Sequence, residues 1–397
     1  MSISDLKHSL RKLEFPASAK EALLKIEQLL VGRVAPTNKQ IDGAMEIVSE
    51  FVFCEADRRG GRRGGGLSPL QELQLIDIIC EYLSACNNET TKNTIFLSLF
   101  GDMENQRKLK ILCILASMAV SASSTPVLLA VGVWLQQMGC SSPQSLQLVE
   151  NIIRDHFYLD TKNQGTLQSL ASTAPQFVSN FITSVTELYM LDGQNPVKLP
   201  PKNLLEVITL WVYTTPTLCM SAQVNAAALP NGAIPMAAVT PFAGLIRWCA
   251  LAPLYVDEDA EMVEVQVKKI KLEGEKTLKS ITKAQTEREL YLQLQLGVLQ
   301  SMRWWRCRGP PAALNAQKVA ALVHPIRQYT QHLKERGCDV TQDERLQETL
   351  DRIGQAVQVA LASGCVYGNI NHLLAALDSL PEARLLKIVV KTHQQAI

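Results

Sequence analysis

Residues 68–86 read SPLQELQLIDIICEYLSAC, and their spacing decides the fold class. Leu70, Leu73, Ile76, Cys80 and Leu83 recur every three or four residues, as one face of a helix does. Leu75, Ile78, Ile79 and Tyr82 mark a second apolar face on the same segment. A helix that is apolar on two sides must be covered on two sides. Ser68 offers an oxygen to an unpaired N–H at the helix start, and Pro69 suits the first helical position because its missing donor would be unpaired anyway.

The same start device recurs along the chain at Thr125-Pro126, Ser142-Pro143, Thr215-Pro216 and Thr240-Pro241, with Ala174-Pro175 as a looser copy. Helix-spaced apolar residues follow: Phe177, Phe181, Val185, Leu188 and Tyr189 after Ala174-Pro175, and Leu346, Leu350, Ile353, Val357 and Leu361 nearer the C-terminus, where Gly364 occupies a C-cap position. Helices are expected near 3–14, 17–31, 39–54, 69–86, 91–100, 105–121, 126–138, 143–158, 165–172, 175–191, 201–214, 216–228 and 235–251. A second set is expected near 278–306, 313–336, 342–363, 369–379 and 382–392. Strand signals are poor, because Val, Ile and Thr rarely alternate with polar residues. Two-faced helices joined by short connections form antiparallel pairs stacked in layers. The expected fold is therefore all-α, an irregular HEAT-like α-solenoid stack without strict repeats.

Two segments interrupt this pattern. Arg58 to Gly66 reads RRGGRRGGG, expected to be a flexible loop within 57–67. From about Asp257 to Lys279 an acidic patch gives way to a lysine-rich one, which sets the expected division into a helical solenoid over 1–255, a charged linker or insertion over 256–279 and a helical segment over 280–397 packed on or continuing the solenoid.

The 397 residues carry 39 Lys+Arg against 38 Asp+Glu, and 47% of them are hydrophobic. Such a chain buries a large core, and its charge balance argues against a dedicated nucleic-acid binder. No Asp, Glu, Lys or Arg occurs from Ile111 to Val149 or from Val207 to Ile246, yet prolines, glycines and polar pairs cut both stretches below spanning length. No membrane partner is expected. The ten cysteines are scattered without a C-x-x-C pair, and MSISDLKHSL lacks the apolar core of a secretory signal, which fits a reducing compartment.

The glycine loop lacks the G-K-[ST] ending of a phosphate-binding loop. The six histidines share no helix face, and no zinc-spaced cluster, H-E-x-x-H or G-x-S-x-G motif occurs. Arg154, Asp155 and His156 read as a surface charge cluster. No catalytic residue, metal, cofactor or small-molecule substrate is expected. The candidate partner-binding residues are Arg247 and Trp248 in GLIRWCALAP, with Trp248 also suited to the core, and Arg303, Trp304, Trp305 and Arg306 in RWWRCR. Arginine and aromatic side chains dominate interface hot spots. A rival reading makes the chain an RNA-binding adaptor through RRGGRRGGG and RWWRCR, with any contact to nucleic acid weak and indirect.

SPLQELQLIDIICEYL (68–83), QFVSNFITSVTELYML (176–191), VTPFAGLIRWCALAPL (239–254) and LDRIGQAVQVALASG (350–364) resemble, in order and spacing, segments of the Integrator complex subunit 15 family. The weaker LKHSLRKLEFPASAKEAL (6–23) carries the resemblance to the start, so it spans roughly 5–390. It points to a non-vertebrate member. The resemblance implies a non-catalytic nuclear scaffold that joins the arm module (subunits 10, 13 and 14) to the Integrator core. It would act in small nuclear RNA 3′-end processing and attenuation of RNA polymerase II transcription, with cleavage belonging to another subunit. RRGGRRGGG, the 257–279 segment, RWWRCR and the missing Pro/His-rich tail of vertebrate members depart from the family pattern.

Overall fold

The structure, a computed structural model, describes residues 3–32, 34–55, 66–102, 104–159, 164–193, 196–256, 286–305 and 313–395. Within them the chain is an all-α stack whose β structure is one parallel pair, β1 (Leu314–Asn315) and β2 (Val366–Tyr367). Two compact units emerge: residues 1–185 with 221–239, and residues 186–220 with 240–397.

The first unit holds α1 (Ile3–Leu10), α2 (Ala17–Leu30), α3 (Asn38–Ile47), α4 (Pro69–Ala85), α5 (Glu89–Phe100), α6 (Gln106–Ser121), α7 (Thr125–Met138), α8 (Pro143–Ile153), α9 (Gln164–Thr173) and most of α10 (Pro175–Thr186). Helix α2 packs on α3 and α5, α4 on α7, and α6 on α7, α8 and α9. Helices α3 and α8 each continue into a widened turn, Val48–Val52 and Arg154–Leu159, so both expected spans hold but change pitch near their ends. Gly132 lets α7 approach α10 closely, since a Cβ there would lie 2.9 Å from the Phe177 backbone.

Helix α4 starts as its sequence requires. Ser68 and Gln71 cap each other reciprocally, with Pro69 at the first position. Ile76 and Leu83 are buried together with Leu75, Ile78 and Ile79, whereas Leu70 and Leu73 are exposed, so two-sided burial begins only in the third turn. Ser142 also caps its helix, accepting from Ser145 N–H at 3.2 Å. The other copies behave differently. Thr125 is already inside α7, Thr215 ends the helix before it, and Thr240 donates to the Ala313 carbonyl at 2.5 Å.

The second unit holds α11 (Lys202–Thr214), α12 (Phe242–Tyr255), α13 (Glu287–Trp305), α14 (Ala316–Ala320), α15 (Val323–Glu335), α16 (Glu344–Ala362), α17 (Ile370–Asp378) and α18 (Arg384–Gln394). Helix α13 lies against α11 and α12, α16 packs on α12, α13 and α18, and α14 packs on α17. Gly297 lets α13 approach α11 closely, because a Cβ there would lie 3.0 Å from the Tyr213 backbone. Gly364, at φ +69°, closes α16. Its N–H donates to Leu361, and the Cys365 N–H reaches back to Ala360 at 3.2 Å, the paired bonds that left-handed glycine makes possible.

Two expectations are corrected. The helices expected over 216–228 and 235–251 are replaced by short turns at Leu218–Met220 and Ser221–Val224, a non-helical run, and α12 beginning at Phe242. Pro230, Pro235 and Pro241 remove donors and bias their predecessors away from helix, while Asn231-Gly232 turns with Gly232 at φ +87°. The non-helical run is strapped to the first unit: Asn93 Nδ2 donates to the Ala228 carbonyl at 2.9 Å and Gln136 Nε2 to that of Met236 at 3.0 Å. The helix expected over 313–336 breaks at Ala321–Leu322, which places Pro325 in the first turn of α15, where its missing N–H costs nothing. Helices α12 and α13, which flank the expected linker or insertion at 256–279, pack together within the second unit.

Two glycine replacements test the close crossings. Gly132→Val and Gly297→Val should each lower the thermal unfolding midpoint, because forcing a branched side chain against backbone costs about 1–3 kcal/mol in a packed core.

Candidate functional site

Helix α13 carries the residues with most to offer a partner. Its apolar face, Leu290, Leu294, Val298 and Met302, is buried. At 100° per residue, Arg288, Leu292, Leu296 and Arg303 share a stripe on another side. All four are exposed, Leu292 by 43% and Leu296 by 54%. Trp304 next to them is half-buried and engaged in an interaction. Trp305 closes the helix, while its side chain and Arg306 lie outside the described residues, as do residues 56–65 of the Gly/Arg loop and 257–285.

The stripe borders a groove whose other wall is α16. Between the walls sits Arg352, only 3% exposed. Its Nη1 donates to the Cys249 carbonyl of α12 at 2.7 Å and its Nη2 to Glu348 Oε1 at 2.7 Å. The other oxygen of Glu348 takes Arg288 Nη2, also at 2.7 Å. One carboxylate thus holds two guanidiniums, and one guanidinium ties α12 to α16. Gln295 reaches across from α13 to Gln355 at 2.9 Å, completing a three-helix junction.

Arg247 and Trp248 have internal roles. Gly244, Arg247 and Trp248 stand at i, i+3 and i+4 of α12, one face of that helix. Gly244 faces Thr186, with space for no side chain of its own. The Arg247 guanidinium donates to the Thr186 carbonyl at the end of α10, a position where a cation is favoured. Burial pulls its pKa down, opposed by the nearby Glu187 carboxylate. Trp248 is fully buried, donates Nε1–H to the Tyr189 carbonyl at 3.2 Å and meets the Tyr189 ring edge-on at 6.1 Å. Trp248 thus fills the core place that its sequence also suited, and Arg247, half-buried, holds an internal bond.

A serine, an aspartate and a histidine do meet in the first unit, without the arrangement that acyl transfer needs. Ser117 Oγ donates to Asp155 Oδ2 at 2.8 Å and lies 3.2 Å from His156 Nε2. A hydrolytic triad places the carboxylate on the far nitrogen of the histidine. Here His156 Nδ1 is buried with no partner. His156 is 4% exposed, which corrects its reading as part of a surface cluster. The buried thiols are equally unsuited to attack: burial pushes Cys219 and Cys249 up to about 12, the latter despite the nearby Arg352. Among the described residues no group of three or more His, Cys, Asp or Glu is placed to hold a metal, and no single helix is long and apolar enough to cross a membrane.

These observations define a class: an all-α helical stack. The family model described as Integrator complex subunit 15 matches residues 4–382. A Drosophila melanogaster protein named Integrator complex subunit 15 is 35% identical over 408 residues, covering 100% of both chains. Proteins of the same name from Homo sapiens and Danio rerio are 30% and 29% identical, each aligned with 98% of this chain and with 87% and 81% of their own. The chain belongs to the Integrator complex subunit 15 family.

Two measurements follow from the geometry. Arg352→Ala should destabilise by about 1–3 kcal/mol in denaturant unfolding, because it leaves the buried Cys249 carbonyl without its donor. Arg288→Ala, on the exposed limb of the Glu348 carboxylate, should cost about 1 kcal/mol or less. In the native chain, the exposed Cys338 should react with a disulfide reagent near pH 8 while Cys219 and Cys249 stay unmodified until unfolding.

Proposed function

We propose that this protein is a non-catalytic scaffold subunit of the Integrator complex in the nucleus. It links the arm module (subunits 10, 13 and 14) to the core, and so serves small nuclear RNA 3′-end processing and attenuation of RNA polymerase II transcription. The observation that carries this reading is full-length similarity to proteins named as subunits of that complex, with 100% coverage of both chains in the Drosophila case. The structure supports it through what the helices expose. Helix α13 presents two leucines and two arginines along one stripe, the residue types that anchor interfaces. Stacked helices give long surfaces able to engage several partners at once. In this reading Arg303 and Trp304 contribute to docking, whereas Arg247 and Trp248 hold the fold that presents them.

Affinity purification from nuclear extract tests membership, and recovery without any Integrator subunit would overturn it. Linkage has its own readout. When a core subunit is immunoprecipitated from cells depleted of this protein, arm subunits should be lost by tenfold or more while core subunits stay together. Re-expression should restore them, and the double variant Arg303→Glu/Trp304→Ala should do so poorly.

A further inference from the structure

We propose that the groove between α13 and α16 receives an amphipathic helix from a partner protein, its apolar face on Leu292 and Leu296 and its Lys or Arg side chains against Glu344 and Asp351. This assigns an occupant to one surface and rests on the reading of the chain as a docking subunit.

Charge complementarity selects the occupant. On the α16 wall Glu344 and Asp351 stand two turns apart, both exposed and neither in an ion pair among the described residues. The two arginines of the groove are already committed, since Glu348 holds Arg288 and Arg352 together. The buried floor adds an acceptor: Gln295, 5% exposed, has Oε1 without a partner although its Nε2 is satisfied. Two free carboxylates and an amide oxygen call for donors on the incoming chain. Arg352 Nε, also buried and unpartnered, leaves room for one acceptor, which a backbone carbonyl or a side-chain amide supplies.

Shape points to a helix. Both walls are helices of 19 residues, and the lining residues run from Arg288 to Leu296 on one and from Glu344 to Gln355 on the other. At 1.5 Å per residue these stretches match about two to three turns of a third helix laid between them. Among the described residues strand addition has no exposed edge of useful length, because the parallel pair is two residues long. Nucleic acid is disfavoured by the carboxylates that face outward. A second copy of this chain is less suitable. Its basic candidate, the exposed Arg384, Lys387, Ile388 and Lys391 side of α18, is a different surface from the groove, and such head-to-tail contacts close only in rings or grow without limit.

The test uses the purified full chain and two labelled, helix-forming 15-residue probes that share leucines at three-four spacing. One probe carries lysines beside the leucines and the other carries glutamates at those positions. Fluorescence anisotropy should show the lysine probe binding at least tenfold more tightly, with the preference shrinking as salt rises. Leu296→Asp should weaken that binding tenfold or more. Glu344→Lys/Asp351→Lys should reverse the preference toward the glutamate probe, which also shows that the variant remains folded. Equal affinity for the two probes, or wild-type binding by these variants, would overturn the proposal. So would self-association in sedimentation that Leu296→Asp abolishes, since a second copy would then be the occupant. The assay contains no Integrator subunit, so its failure leaves the co-purification result standing, and failed co-purification leaves this measurement intact.

Discussion

The guanidinium of Arg352 is the constraint on which the second unit's surface depends. A charge buried this deeply is tolerated only when its partners are fixed, because removing it from water costs several kcal/mol. The Cys249 carbonyl and Glu348 are those partners, and they lie on α12 and α16. Holding them at hydrogen-bond length ties two helices together, and Glu348 also reaches Arg288 of a third. The groove is the outer face of that arrangement. Its carboxylates are free because the arginines beneath them are occupied.

Much of the fold was legible because it rests on local rules. The cap at Ser68 and the glycine stop at Gly364 each specify backbone geometry within a few residues and appear as read, whereas the helix after Pro175 ends at Thr186, short of Leu188 and Tyr189. Errors came where the same letters serve a distant partner. Thr240-Pro241 looks like a helix start, yet the Thr240 hydroxyl is taken by Ala313, seventy-three positions away. Leu70 and Leu73 fit the apolar period of α4, but periodicity cannot say whether a neighbour covers that side.

The candidate surface was less legible, for a related reason. Arg247 and Trp248 are hot-spot residue types, but in the fold Gly244 on their face packs against Thr186. On α13 the opposite omission occurred. The buried period of Leu290, Leu294, Val298 and Met302 stands out, and the leucines left over at 292 and 296 carry the outward information. Reading which apolar residues a helix does not need for its own core finds the stripe. Glu344 and Asp351, on a helix distant in sequence, required the fold.

The strap of residues 221–239 has a consequence for how the molecule comes into being. The chain passes from the first unit to the second after residue 185, returns for this segment and then leaves again. Neither unit is a continuous stretch of polypeptide. On the ribosome the first cannot be completed until its late segment has emerged, by which time part of the second is already synthesised. No single cut releases either unit whole, so a fragment ending at residue 185 would lack the segment that normally covers Asn93 and Gln136.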